Sequence, residues 1–334
     1  MADPFGGSGT TGIEAILLGR RVWLGDANRI AVSIAKAKAS LLTNVDVRKN
    51  FEAESRNLLN PSFRPSANAE ALRLELHPDL AAWFHPDTFA QLLDLWSRIE
   101  SVEEVDLKEV FRVAFSDVLF SCASSGRPTT SGGHKRRHHW GWIADNVKPK
   151  IRLWHDANRL FRNAVETIGK TIRAFPLCDP SCIDIAFADA RAIPLPPLSV
   201  DLIVTSPPYI AMIDYSTAQR LTYMWLGLSM DLDRRRELGA RWRRNRLSEA
   251  ADYESAISAS VTEIERVLKP EALCAIVIGA SRKFPDMAEK VIASFATKLD
   301  TVWGPVPRTP TRRRVSVRQG EAPTEYICVF RKKP

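Results

Sequence analysis

The chain has 334 residues, of which 45% are hydrophobic, enough for one extended α/β domain with an insertion or for two smaller units with a core. Its net charge of +8 and pI near 9.4 suit a polyanionic partner and serve solubility equally well. No apolar run approaches membrane-spanning length and Glu14 interrupts the only early apolar stretch, so neither a membrane span nor a signal peptide is expected; five cysteines without a metal or disulfide pattern point to reduced thiols and a cytoplasmic setting.

The chain opens on Asp3-Pro4-Phe5-Gly6-Gly7-Ser8-Gly9-Thr10-Thr11-Gly12. Closely spaced glycines permit a tight strand-to-helix turn and close ligand approach, and the helix expected over residues 11–18 offers unpaired N–H groups at its start. Taken singly, such a turn serves nucleotides, phosphates or packing alone. A short second strand over residues 21–24 ends at Gly25-Asp26, and an acid at that position of a βαβ unit is the expected partner of ribose hydroxyls. Asp26 is that candidate.

Residues 45–70 read as linker, with Asn60-Pro61 and Pro65 as breakers. Apolar spacing of three and four predicts helices over residues 80–84, 89–99 and 105–119. A Ser- and Gly-rich stretch, residues 124–133, then leads into His134-Lys135-Arg136-Arg137-His138-His139-Trp140. Lys135, Arg136 and Arg137 suit phosphates and Trp140 or Trp142 suits stacking, while a solvated basic loop explains the same composition. Cys178 and Cys182 lack the further His or Cys needed for a zinc set, so no metal is expected.

A short strand is expected over residues 184–187, leading to Asp189, and a buried one over residues 201–204, leading to Thr205-Ser206-Pro207-Pro208-Tyr209. In open α/β sheets ligands gather at the carboxyl ends of the strands, which brings Asp26, Asp189 and Ser206 to one edge. Beyond them a second basic cluster runs from Arg234, Arg235 and Arg236 to Arg241, Arg243, Arg244 and Arg246; it can track a nucleic-acid backbone beside the Ser-Pro-Pro-Tyr segment, with Arg241, Arg243 and Arg244 as the candidate contacts, unless its charges simply face water. A third, Arg312, Arg313, Arg314 and Arg318, falls between the expected last two strands as a hairpin tip or a further contact.

The glycine-rich opening, Asp26, Asp189, the Thr-Ser-Pro-Pro-Tyr run, the segment 263–270 and the strand at 273–278 resemble the S-adenosyl-L-methionine (AdoMet)-dependent DNA methyltransferases that modify exocyclic amino groups, over residues 1–42 and about 183–330. The resemblance implies a Rossmann-like α/β fold: a mostly parallel twisted sheet, an antiparallel last strand and a helical insertion after the second strand. It divides the chain into an AdoMet-binding part (1–44), a helical and basic insertion that is a possible target-recognition region (45–175) and a catalytic part (176–334). By the same resemblance Asp3, Pro4, Phe5, Gly7, Ser8, Gly9, Thr10 and Thr11 line the AdoMet pocket, Asp26 holds the ribose and Asp189 meets the adenine. Ser206, Pro207, Pro208 and Tyr209 are then the catalytic tetrapeptide, and DNA is the partner.

The chemistry accounts for those residue types. An amino nitrogen conjugated to a base must rehybridise before it attacks a methyl group, so acceptors such as Ser206 Oγ and the Pro207 carbonyl must hold its protons, while Tyr209 offers a face to an extruded base. A serine at the first position is typical of cytosine N4 enzymes in this family, with adenine N6 as the alternative and an RNA base as a third reading. Carbon-5 chemistry needs a nucleophilic thiolate, and no cysteine follows a proline as in such enzymes. Only Met1 and Ala2 precede Asp3, where a central strand usually has about five residues. A truncated first strand is therefore expected, and with it a different class of function: an inactive or split-enzyme fragment that binds nucleic acid or a complementing N-terminal polypeptide.

Overall fold

The computed structural model describes residues 1–65, 69–123, 143, 145–279, 281, 283–308 and 325–334. Two compact units result, one of Met1–Val32, Ser181–Tyr215 and Asp233–Pro334, the other of Ser33–Pro180 and Ser216–Leu232.

The first unit is built on a seven-stranded sheet of order β3-β2-β1-β4-β5-β7-β6. Its strands are β1 (Ala2–Asp3), β2 (Val22–Asp26), β3 (Ile183–Phe187), β4 (Val200–Thr205), β5 (Leu268–Gly279), β6 (Leu299–Arg308) and β7 (Glu325–Lys332). Strands β1 to β5 run parallel, and β7 is inserted antiparallel to both β5 and β6, so the sheet is Rossmann-like with an antiparallel last strand. Strand β1 is the two residues Ala2 and Asp3, paired to Trp23 and Leu24 on one side, with Ala2 also opposite Ile203 on the other. The Met1 carbonyl accepts from Trp23 N–H at 3.1 Å.

Helices Glu249–Val267 and Met287–Lys298 each carry an apolar stripe. Ile257, Val261, Ile264, Val291 and Phe295 from those stripes join Ile203, Cys274, Ile276, Cys328 and Phe330 of the sheet in one buried core. The Phe295 and Phe330 rings stack at 5.3 Å. Helix Thr10–Leu17 follows the glycine turn. It lies close enough to β2 that a Cβ on Gly12 would fall 2.4 Å from Leu24 Cδ1, so the glycine there is a packing requirement.

The second unit is helical and has its own core. Phe51, Trp83, Phe84, Leu92, Trp96, Phe111, Phe115, Phe161 and Trp225 are buried together. Trp225 meets Phe84, Phe89, Trp96 and Phe115 edge-on at ring distances of 4.9 to 6.4 Å. The helices expected over residues 89–99 and 105–119 are Pro86–Glu100 and Val105–Cys122.

The stretch expected as linker is in large part the helix Val45–Leu58. Asn44 caps it, its Oδ1 accepting from the N–H groups of Asp46 and Val47, and Val47, Phe51 and Leu58 are buried on one face. The breakers Asn60 and Pro61 stop that helix instead of marking a loop throughout. Residues 216–232, which follow the Ser-Pro-Pro-Tyr segment in the chain, pack into this unit through Leu221 and Trp225, an assignment no local pattern signals. Lys135, Arg136, Arg137, Trp140 and Trp142, like Arg312, Arg313, Arg314 and Arg318, lie outside the described residues. Among the described residues no helix is long and apolar enough to cross a membrane.

Candidate active site

The glycine-rich turn leaves β1 and Ser206-Pro207-Pro208-Tyr209 leaves β4, so both sit at the carboxyl ends of adjacent parallel strands in the middle of the sheet. A direct link joins them: Thr205 Oγ1 donates to Asp3 Oδ1 at 2.6 Å. The same oxygen accepts the Phe5 N–H at 3.0 Å. Asp3 is buried, and burial raises its pKa from 3.8 to about 6 against the opposing hydrogen bonds from Thr205, Thr11 and the Phe5 amide. Asp3 is thus a buried tie between the two motifs.

That raised pKa has a defined sign. The folded chain binds the Asp3 proton more tightly than the unfolded chain, so the stability associated with this group is complete below pH 3.8 and lost as pH rises through about 6. A shift of about two units corresponds to about 3 kcal/mol. Asp3→Asn, which keeps an oxygen for Thr205 and Phe5, is expected to flatten the decline in urea-unfolding free energy between pH 4 and 7 by that order. Parallel curves for the two proteins would show that Asp3 ionises without penalty.

Asp26 closes the glycine turn. Its Oδ2 accepts the Gly7 N–H at 2.8 Å and its Oδ1 the Asn28 N–H at 2.8 Å. Gly6 N–H donates to the Gly25 carbonyl at 2.9 Å, and Ala188 N–H, beyond β3, donates to the Asp26 carbonyl at 3.1 Å. Burial moves the Asp26 pKa upward against those amide bonds. Gly7 and Gly9 have φ of 50° and 84°. A Cβ on Gly7 would meet no protein atom within 4 Å, so the turn opens onto free space at the start of helix Thr10–Leu17, with Ser8 and Thr10 exposed beside it. Pro4 and Phe5 carry the chain from β1 into this turn.

Asp189 follows β3 and is held by a residue the sequence reading did not single out. Arg191 grips it with Nε to Oδ1 at 2.9 Å and Nη2 to Oδ2 at 2.6 Å. Burial alone would raise the Asp189 pKa, but the Arg191 bonds win and hold it below the usual carboxylate value. At the end of β3 the half-exposed Phe187 ring lies under the guanidiniums of Arg236 at 4.9 Å and Arg29 at 5.8 Å. Arg29 is anchored in turn by the buried Asp233 at 2.9 Å.

Ser206 is exposed and Pro207 buried. The Pro208 carbonyl accepts the buried Tyr253 hydroxyl at 2.7 Å, so that acceptor is already occupied. The Tyr209 ring lies on the backbone of Gly279 at the end of β5, where a Cβ would come within 2.5 Å of it. Its hydroxyl donates to Glu325 Oε1 at 3.2 Å, and Glu325 pairs with Arg308 Nε at 3.0 Å. Burial, opposed by a hydrogen bond with Ser206 and reinforced by Glu325, pushes the Tyr209 pKa up to about 12, so the phenol stays protonated at neutral pH. Tyr215 lies within electrostatic reach of both Tyr209 and Asp26. Glu325, Arg308 and Gly279 carried no sequence signal, because each is brought in from a distant strand.

Past Tyr209 the chain is paired with the basic segment. Ala211 N–H donates to the Gly239 carbonyl at 2.7 Å, Arg241 N–H to the Ile213 carbonyl at 3.4 Å and Trp242 N–H to Asp214 Oδ1 at 2.8 Å. Arg241 and Arg243 belong to a single helical turn, Arg241–Arg243, and Arg244 follows it exposed.

Neither a scan of protein-family models nor a search of curated proteins finds a match to this chain. Among solved structures the chain is similar to a candidate DNA modification methylase of Thermus thermophilus, in two crystal structures of that protein: 19% identity over 44% of this chain and 51% of the other with a TM-score of 0.28, and 21% identity over 44% and 52% with a TM-score of 0.26. The chain thus spans about half the length of that protein, and likenesses this loose carry no part of the functional argument.

Proposed function

We propose that this chain is an AdoMet-dependent DNA methyltransferase that modifies the exocyclic amine of an extruded base, cytosine N4 in the first instance. One observation carries the reading: the glycine-rich turn and Ser206-Pro207-Pro208-Tyr209 leave neighbouring central strands and are tied by Thr205 and Asp3. The turn fits the cofactor, since the space beyond Gly7 is open and the start of helix Thr10–Leu17 presents backbone amides. Asp26, oriented by Gly7 and Asn28, holds the ribose, and Asp189, fixed by Arg191, meets the adenine. Gly7, Ser8, Gly9, Thr10 and Thr11 enclose the remainder, with Pro4 and Phe5 shaping the entry.

When bound, AdoMet supplies an already activated methyl group. The protein's task is then alignment, bringing the amine to about 3 to 3.5 Å from the methyl carbon. Ser206 Oγ accepts a hydrogen bond from one amino N–H and the Pro207 carbonyl from the other, which favours the rehybridised nitrogen, the Pro208 carbonyl being engaged by Tyr253. Tyr209, kept protonated and held by Glu325 and Gly279, is the platform on which the base stacks. Arg241, Arg243 and Arg244 lie beside that loop and meet the DNA backbone.

The test is transfer of a labelled methyl group to DNA, followed by separation of nucleosides. N4-methylcytosine is expected, and Ser206→Ala should lower turnover by roughly 10²-fold, the scale of losing one polar contact to the reacting group. N6-methyladenine would reassign the base. Label in RNA alone would reassign the polymer, and none in either would leave a binding or complementing role.

A further inference from the structure

Trp242 stands at the centre of an arginine cluster that the proposed methyl transfer does not by itself explain. Three guanidiniums surround its indole: Arg234 at 4.3 Å, Arg246 at 4.6 Å and Arg243 at 4.9 Å from the ring centre. An indole has two faces, so three cations around one ring gain from its π density only by crowding one another. Neutralisation within the protein is sparse. Among the described residues none of the three has a carboxylate within 4.0 Å, and the Nε atoms of Arg234 and Arg243 have no hydrogen-bond partner. The acid that faces Arg243 and Arg246 is Glu249, which is buried with Oε2 unpartnered and its acidity weakened by burial. One internal restraint is present: Arg243 Nη2 donates to the Arg235 carbonyl at 2.9 Å.

The cluster is fixed in place. Trp242 N–H is bonded to Asp214, and residues 239–241 are bonded to residues 211–213, directly after Tyr209. Stacked guanidiniums are already ordered, so an anion that meets them does so with little further loss of side-chain freedom, and planar forks match phosphate oxygens. We propose that Arg234, Arg243 and Arg246, gathered on Trp242, bind a backbone phosphate of the DNA strand that delivers its base to Ser206 and Tyr209. This rests on the reading of the chain as a DNA methyltransferase and adds to it a built phosphate site on Trp242, where sequence reasoning marked only a basic cluster from Arg234 to Arg246 that could track the DNA backbone.

The experiment measures binding of a fluorescein-labelled 24-base-pair duplex by anisotropy over a range of salt, for the wild-type chain and for Arg234→Gln/Arg246→Gln, with AdoMet affinity followed by calorimetry. The double variant is expected to bind DNA about tenfold more weakly, with a log–log salt slope shallower by about 1 and unchanged AdoMet affinity. Arg234→Lys/Arg246→Lys, which keeps the charge without the fork, should recover the slope but only part of the affinity. Unchanged DNA affinity and slope in the Gln variant, with or without a fall in thermal stability, overturns the proposal, as does a wild-type chain that does not bind the duplex. Inorganic phosphate is the control for a free anion: stabilisation of the wild-type chain by phosphate, lost in the Gln variant while DNA binding is unaltered, also overturns it. Weakened DNA binding in the variant of a wild-type chain that transfers no methyl group would retain the phosphate site and reject the methyltransferase reading.

Discussion

Gly279→Ala should separate cofactor binding from methyl transfer. A Cβ at this position would fall 2.5, 2.7 and 3.1 Å from Cε2, Cδ2 and Cζ of Tyr209, well inside ordinary contact distance. The Gly279 backbone is held by pairing with Glu325 of β7, so the tyrosine ring is the partner that must yield. Overpacking of this kind costs about 1 to 3 kcal/mol. Rotation of the ring also breaks its bond to Glu325 and moves the face that the proposed function assigns to the base. A displacement of about 1 Å at a reacting centre is worth about 10²-fold in rate, and that is the loss expected in kcat/KM for DNA. AdoMet affinity, measured by calorimetry, should be preserved, since Gly279 touches none of the groups assigned to the cofactor. The double variant Tyr209→Ala/Gly279→Ala should be no worse than Tyr209→Ala alone, because the clash disappears with the ring. A fully active Gly279→Ala enzyme would mean that the Tyr209 ring is not the platform.

Asp26→Ala is expected to act on both stability and cofactor binding. Its carboxylate satisfies the Gly7 and Asn28 amides together, and leaving a buried N–H unsatisfied costs about 1 to 3 kcal/mol each. A stability loss of about 2 to 5 kcal/mol in urea unfolding follows, with the glycine turn released from β2. AdoMet affinity should fall by more than about 10²-fold, since a charge-assisted bond to the ribose and the shape of the turn are lost together. Asp26→Asn retains one acceptor oxygen and should recover part of the stability without the full affinity. Undiminished AdoMet binding by Asp26→Ala would remove this residue from the cofactor site.

The local pieces of the site were legible because their chemistry is local. Gly7 and Gly9 adopt positive φ where the turn requires it, consecutive prolines stiffen the segment after β4, and short apolar runs became β2, β3 and β4 within a residue or two of their expected limits. The helix Val45–Leu58 is masked for an equally local reason: the breakers at residues 60–65 are a stronger local signal than the Asn44 cap and the stripe of Val47, Phe51 and Leu58. The helix Ala157–Arg173, capped by Asp156 and buried through Phe161, Val165 and Ile172, carried a pattern that was not read either.

The glycine turn, the proline-stiffened segment and the polar groups at the ends of β2, β3 and β4 are set by local chemistry, since steric limits on glycine and proline and short apolar runs act over a few positions. What those polar groups touch emerges with the folded chain: Asp3 accepts from Thr205, Arg191 grips Asp189, Gly279 and Glu325 seat Tyr209, and three arginines meet on Trp242. The physical reason is that buried donors, acceptors and charges must find partners across space, and sheet pairing brings together residues as far apart as 3 and 205 or 209 and 325.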